Sequence, residues 1–190
     1  MEIAGLVLAA GAGCRFGMPK ALAPWRGRPL VAHAAETSRA AGLSRTVVVV
    51  GAAADRVRAA APGLDYVENP DWETGMASSL RAGLAALADS SAAAAVVLLV
   101  DMPGVTPAAV RRVAALASPT ALVAGGYPGR RGHPVLLGRD HWAGVARGAT
   151  GDRGARDYLR AHAAEVHVVP VADVADDLDL DVPSTVGDRA

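Results

Sequence analysis

Gly5-Leu-Val-Leu-Ala-Ala-Gly11-Ala-Gly13-Cys-Arg15-Phe-Gly17-Met-Pro-Lys20 sets the plan of this chain, because an apolar run there feeds a glycine-rich turn carrying two cations. Leu6, Val7 and Leu8 suit a parallel strand covered on both faces. Glycines at 11, 13 and 17 permit positive φ and let backbone N–H groups approach an oxyanion with no Cβ in the way. Arg15 offers phosphate a planar fork, and Lys20 offers a compact point charge. The spacing is not that of a Walker loop, since Gly17 is followed by Met-Pro-Lys and not by Lys-Ser/Thr. It is not a dinucleotide fingerprint either. The third glycine arrives one residue late, and Thr46-Val-Val-Val-Val50 runs into Gly51 where a ribose-binding acid belongs. Taken alone, the stretch fits both a phosphate-binding loop and a plain strand-to-helix turn with incidental cations.

Composition narrows the setting. Nineteen basic and nineteen acidic residues cancel without a basic stripe, which argues against nucleic acid as a partner. Apolar residues make up 52% of the 190, ample for a sizeable core, and no Pro/Ser linker or charge block divides them. A single domain over residues 1–190 is expected. The longest apolar run, Ala92 to Val100, is too short to span a bilayer, and Met1-Glu2 lacks the basic flank of a secretory signal. One cysteine, Cys14, excludes an internal disulfide framework, so a cytoplasmic enzyme without a membrane partner is the expectation. No histidine lies near Cys14 in sequence to activate it, and it reads as an incidental small residue.

The rest of the chain alternates strand and helix signals. The first strand covers roughly residues 3–10. A helix follows from near Pro29 to near Gly42, then a strand at Thr46–Val50, a short helix around Asp55–Ala61 and a weak strand at Asp65–Val67. The polar segment Asn69–Ser79 runs into a helix whose Met76, Leu80, Leu84 and Leu87 share a face. Its amino terminus either presents the Ser78 and Ser79 hydroxyls to a ligand or is capped by Thr74 or Ser78. Ala95–Val100 is the most strand-like run, and Asp101-Met-Pro103 ends it with a carboxylate at the strand tip, where α/β sheets place ligand groups. Thr106 caps the next helix, with Pro107 in its first turn. A strand at Ala121–Ala124 is followed by Gly125–Leu137, read as a loop excursion, and by a second polar loop, Gly148–Arg156, before a helix ending near His162. A strand at Val166–Val169 and the acidic run Asp176–Asp181 close the pattern. The alternation predicts an α/β sandwich with a mostly parallel sheet. If its first and fourth strands are neighbours, Arg15, Lys20 and Asp101 surround one ligand.

Six motifs occur in order: Leu8-Ala-Ala-Gly-Ala-Gly-x-Arg15-x-Gly-x-Pro-Lys20, Asn69-Pro-x-Trp-x-x-Gly-Met-x-Ser-Ser79, Val100-Asp-Met-Pro103, Arg131-Gly-His-Pro134, Gly151-Asp-x-Gly-Ala-Arg156 and Asp179-Leu-Asp-Val-Pro183. Together they resemble the MobA-like nucleotidyltransferases, most closely the molybdenum cofactor cytidylyltransferases, from Gly5 to about Pro183. The resemblance implies a Rossmann-like, GT-A-like three-layer sandwich, Mg²⁺ dependence and transfer of a nucleoside monophosphate to a phosphorylated acceptor. Alanine in Leu-Ala-Ala-Gly, where guanylyl enzymes carry glycine, resembles the cytidylyl branch. The expected reaction is therefore transfer of CMP from CTP to molybdopterin, with pyrophosphate leaving and a molybdoenzyme as the downstream recipient.

By the same resemblance, Gly11, Gly13 and Arg15 would hold the triphosphate and Lys20 would stabilise charge at the α-phosphorus, with Lys20, Arg15 and Asp101 as the catalytic set. Ala9, Ala10 and Gly11 with Gly75 and Ser79 would contact the nucleotide. Asp101 and Asp181 would bind Mg²⁺, with Asp179 as the fallback for the second carboxylate. Ser78, His133 and Arg156 would face the acceptor, a structural loop histidine being the other reading of His133. Ser184-Thr185 departs from the family's closing pattern. Two other readings stand beside this one: an NAD(P)H-dependent oxidoreductase of the nicotine blue type on the same fold, and a non-catalytic chaperone for nucleotide or cofactor.

Overall fold

The computed structural model describes residues 1–14 and 16–180, so Arg15 and Asp181 among the expected site residues lie outside it. In chain order the elements are β1 (Glu2–Leu8), a small hairpin of β2 (Pro24–Trp25) and β3 (Arg28–Pro29), α1 (Leu30–Ala40), β4 (Arg45–Val50), α2 (Ala54–Ala60) and β5 (Asp65–Glu68). Then come α3 (Met76–Leu87), β6 (Ala92–Leu99), α4 (Pro107–Ala114), β7 (Leu122–Tyr127), β8 (Arg130–Gly138), α5 (Arg139–Gly148), α6 (Arg156–Ala161) and β9 (Val166–Pro170). Seven strands form one sheet in the order β5-β4-β1-β6-β8-β7-β9. All run the same way except β8, which pairs antiparallel with both β6 and β7.

The strand period of two sorts the apolar side chains into two layers. On β1, Leu6 and Leu8 face a core with Leu80 and Leu84 of α3 and Trp142 of α5, whereas Val7 faces the opposite core with Leu30 and Val31 of α1 and Val110 of α4. Both faces of the sheet are thus covered by helices, which is why Val47–Val50 reads as an unbroken apolar run and all four side chains are buried. The expected α/β sandwich with a mostly parallel sheet is what the chain forms.

Two features depart from the sequence reading. The segment Gly125–Leu137 is not a loop excursion but most of the β7–β8 hairpin, turning at Pro128-Gly129. Its glycines signal close packing: a Cβ on Gly126 would lie 2.8 Å from Cγ1 of Val168 on β9. Helix α5 also has no counterpart among the expected elements. Its apolar anchors are only Trp142 and Val145, with Trp142 donating its indole N–H to the Leu137 carbonyl at 2.9 Å.

Candidate active site

The first and fourth expected strands, β1 and β6, are paired neighbours, with Leu8 opposite Leu99. The loops that leave their carboxyl ends therefore share one rim. After β1, Ala9 donates to the Val49 carbonyl (2.9 Å) and Ala10 accepts from Ala52 (3.0 Å), so both residues are buried and their remaining backbone groups are held in place. The loop then folds back on itself. Phe16 and Gly17 donate to the Gly13 carbonyl, and Gly13 adopts φ +63° with Met18 so close that a Cβ would sit 1.9 Å from its carbonyl oxygen. Only glycine fits there. Gly11 is different: it is exposed, has no positive φ, and its Cβ position is open space. The protein's own packing does not require a glycine at that place.

This loop delivers Lys20 to the tip of β6. Its Nζ lies 2.8 Å from Oδ2 of Asp101 and 3.4 Å from Oδ1 of Asp179, and the lysine side chain is only 17% exposed. The chain reaches this point twice from far away, since the segment after β9 returns across the sheet end and Leu180 donates its N–H to the Asp101 carbonyl at 3.0 Å. Lys20 and Asp101 are brought together as expected. Asp179 joins them, and Asp181 lies outside the described residues.

Ser78 and Ser79 are buried at the start of α3. Asn69, itself 3% exposed, donates from Nδ2 to both hydroxyls, at 2.8 and 3.0 Å. The Ser78 hydroxyl lies 2.9 Å from the Asp71 carbonyl and 2.8 Å from that of Gly75, so it is spent on the turn that precedes the helix. Neither Thr74 nor Ser78 caps the first N–H of α3. That role falls to Asp152, which accepts from Met76 N at 3.3 Å across 76 residues. Gly75, at φ +106°, makes room for this contact, since a Cβ there would lie 2.6 Å from the Gly151 backbone.

Beside the Lys20 pair opens a cleft of about 440 Å³ between β8, α3 and the loop before α6. Its floor is apolar, with Leu8, Leu80 and Leu99, and its walls carry five arginines: Arg130, Arg131, Arg153, Arg156 and Arg160. His133 and Arg156, expected to act together, both line it, and Asp179 links the cleft to Lys20. The half-buried His133 ring places Nδ1 3.2 Å from the Val97 carbonyl. Burial pushes its pKa below the ordinary value, and the Arg156 charge adds to that, against opposing pulls from the Val97 carbonyl and Asp101. Sequence reasoning passed over Arg131 and Asp152. Both stand inside quoted motifs.

A family model described as the MobA-like NTP transferase domain matches residues 5–166. The chain belongs to this family. Among similar proteins is one named nicotine blue oxidoreductase, from Paenarthrobacter nicotinovorans, 39% identical over 94% of this chain and 92% of that protein. Bifunctional protein GlmU of Burkholderia thailandensis is 40% identical over 113 residues, 57% of this chain but only 24% of that longer protein. Rv0371c of Mycobacterium tuberculosis superposes with TM-score 0.81 at 32% identity, covering 94% of this chain and 93% of the other, and has also been solved in complex with manganese. A nucleotidyl transferase from Methanothermobacter shares the fold, at TM-score 0.77 and 22% identity over 89% of this chain and 87% of that one. No helix among the described residues is long and apolar enough to cross a membrane.

Proposed function

We propose that this MobA-like protein is a divalent-metal-dependent nucleotidyltransferase that moves CMP from CTP onto a phosphorylated acceptor, molybdopterin being the acceptor, within one domain over residues 1–190. The observation that carries the reading is the convergence of Lys20, Asp101 and Asp179 at the tip of β6, beside a glycine loop with a bare backbone at Gly11. The residues fit a metal. Two carboxylates within hydrogen-bonding reach of one cation give an oxygen-only donor set, which suits Mg²⁺ held by one or two carboxylates and phosphate oxygens. Asp101 and Asp179 would hold it, with Asp181 as the further candidate, and the similar protein Rv0371c has been solved in complex with manganese. When bound, the ion neutralises phosphate charge.

The chain's own part is positioning and electrostatics. A phosphate oxygen of the acceptor attacks the α-phosphorus in line. The bond from that phosphorus to the bridging oxygen breaks, and pyrophosphate leaves with the electron pair. Lys20 supplies positive charge where negative charge builds up on the α-phosphoryl oxygens, Gly11 and Gly13 offer backbone N–H groups to the triphosphate, and Arg15 adds a fork to it. Ala9, Ala10, Gly75 and Ser79 shape the nucleotide side, while Ser78 steadies the turn that enters α3. His133 and Arg156 meet the acceptor in the arginine-lined cleft. Expected partners are CTP, the phosphorylated acceptor and a molybdoenzyme, in the cytoplasm.

One observation favours a second reading, an NAD(P)H-dependent reductase: the full-length similarity to the protein named nicotine blue oxidoreductase. Against it, β4 ends in Val50-Gly51-Ala52, with no acid to take a ribose hydroxyl. A thermal-shift panel of CTP, GTP, ATP, NADH and NADPH, each with and without Mg²⁺, separates the two. Metal-dependent stabilisation by CTP alone is expected. Stabilisation by NADPH alone would overturn the transferase.

A further inference from the structure

The five arginines of the cleft are not equivalent. Arg130 is paired with Asp177, while Arg153 and Arg160 share Asp157 at 3.1 and 3.7 Å. Arg131 and Arg156 line the same cleft with no ion pair among the described residues. Beside them stands His133, which lines the same cleft. A carbonyl only accepts, so the contact with Val97 puts the hydrogen on Nδ1 and leaves a lone pair on Nε2 of the neutral ring. The Tyr127 hydroxyl, donating to the His133 carbonyl at 2.7 Å, fixes the backbone that carries the ring. Burial lowers the imidazole pKa and so favours the neutral ring that carries this lone pair. Two unpaired guanidinium groups and one acceptor nitrogen thus flank an apolar floor of Leu8, Leu80 and Leu99.

We propose that Arg131 and Arg156 bind the anionic group of the acceptor while His133 Nε2 accepts a hydrogen bond from an N–H or O–H on its apolar body, so that the cleft selects molecules carrying both. This rests on the transferase reading for the word acceptor, and it adds Arg131 as a binding residue. An anion alone engages half of the site, and an apolar ring with a donor engages the other half.

Calorimetric titration without nucleotide or metal tests this with three probes: 6-hydroxymethylpterin, its phosphate ester and inorganic phosphate. The wild type should bind the ester about tenfold or more tightly over the alcohol, as a charge-assisted pair of bonds requires. Arg131→Ala should erase most of that ratio while leaving affinity for the alcohol unchanged, and Arg131→Lys should restore part of it. His133→Phe should weaken the ester and the alcohol together and spare inorganic phosphate. A wild type with no preference for the ester, or an Arg131→Ala protein with an unchanged ratio, overturns the proposal. The transferase reading fails separately. A protein with the expected binding pattern that makes no pyrophosphate from CTP and the ester loses that reading and keeps this one, whereas unchanged transfer and acceptor KM in Arg131→Ala does the reverse.

Discussion

Lys20 holds two carboxylates together, and its substitution separates charge stabilisation from folding. Its amine reaches Asp101 and Asp179 at 2.8 and 3.4 Å from a three-residue turn that is otherwise fixed by backbone hydrogen bonds. Lys20→Ala should therefore lower turnover by about 10²–10³-fold, the cost of losing one preorganised donor at a developing oxyanion, and leave the circular dichroism spectrum unchanged. Pyrophosphate release at saturating CTP measures it, and near wild-type release would remove Lys20 from the reaction. At this scale the sequence was legible where chemistry and strand order coincide: a lysine after a glycine loop and an aspartate after the strongest strand meet because β1 and β6 are adjacent. It was less legible where burial decides. Ser78 and Ser79 look like free hydroxyls in the sequence, but nothing there shows that Asn69 bends back to donate to both.

Helix ends and hairpins belong to the next scale. Thr106 was readable as a cap from Thr-Pro alone, and its hydroxyl oxygen does accept from Ala109 N at 3.3 Å. The same hydroxyl donates to the Val174 carbonyl at 2.7 Å, which ties α4 to the returning segment after β9. Thr106→Ala should thus cost about 1–2 kcal/mol, at the upper part of the range for a lost cap, and lower the melting midpoint by a few degrees. Thr106→Ser, which keeps both bonds, should recover most of that in urea unfolding; equal loss in both variants would show that the hydroxyl is not what matters. The β7–β8 hairpin was misread for a related reason. Gly125, Gly126 and Gly132 carry the composition of a loop, yet their role is to admit neighbours, and neighbours are a property of the sheet and not of the segment. Helix α5 was missed because its buried stripe is only two residues wide.

At the scale of the whole molecule, one half-buried histidine links acidity to stability. His133 has its pKa pushed below the ordinary 6.5 by burial, so the unfolded chain binds its proton first as pH falls. The associated stability is complete above pH 6.5 and is lost progressively below it. Between about pH 6.5 and 5, above the range of most carboxylates, the urea midpoint should fall, and His133→Phe should flatten that fall. An unchanged slope in the variant would show that the ring gains its proton in the folded state as easily as in solvent. The architecture also orders events in time. Lys20 and Asp179 are 159 positions apart, and the segment that carries Asp179 follows β9 and returns to Asp101. A ribosome-bound chain that stops short of this return has its glycine loop and its lysine but lacks the second carboxylate. The Lys20–Asp101–Asp179 cluster is therefore completed only once synthesis has passed β9, and a chain released before Asp179 cannot assemble it.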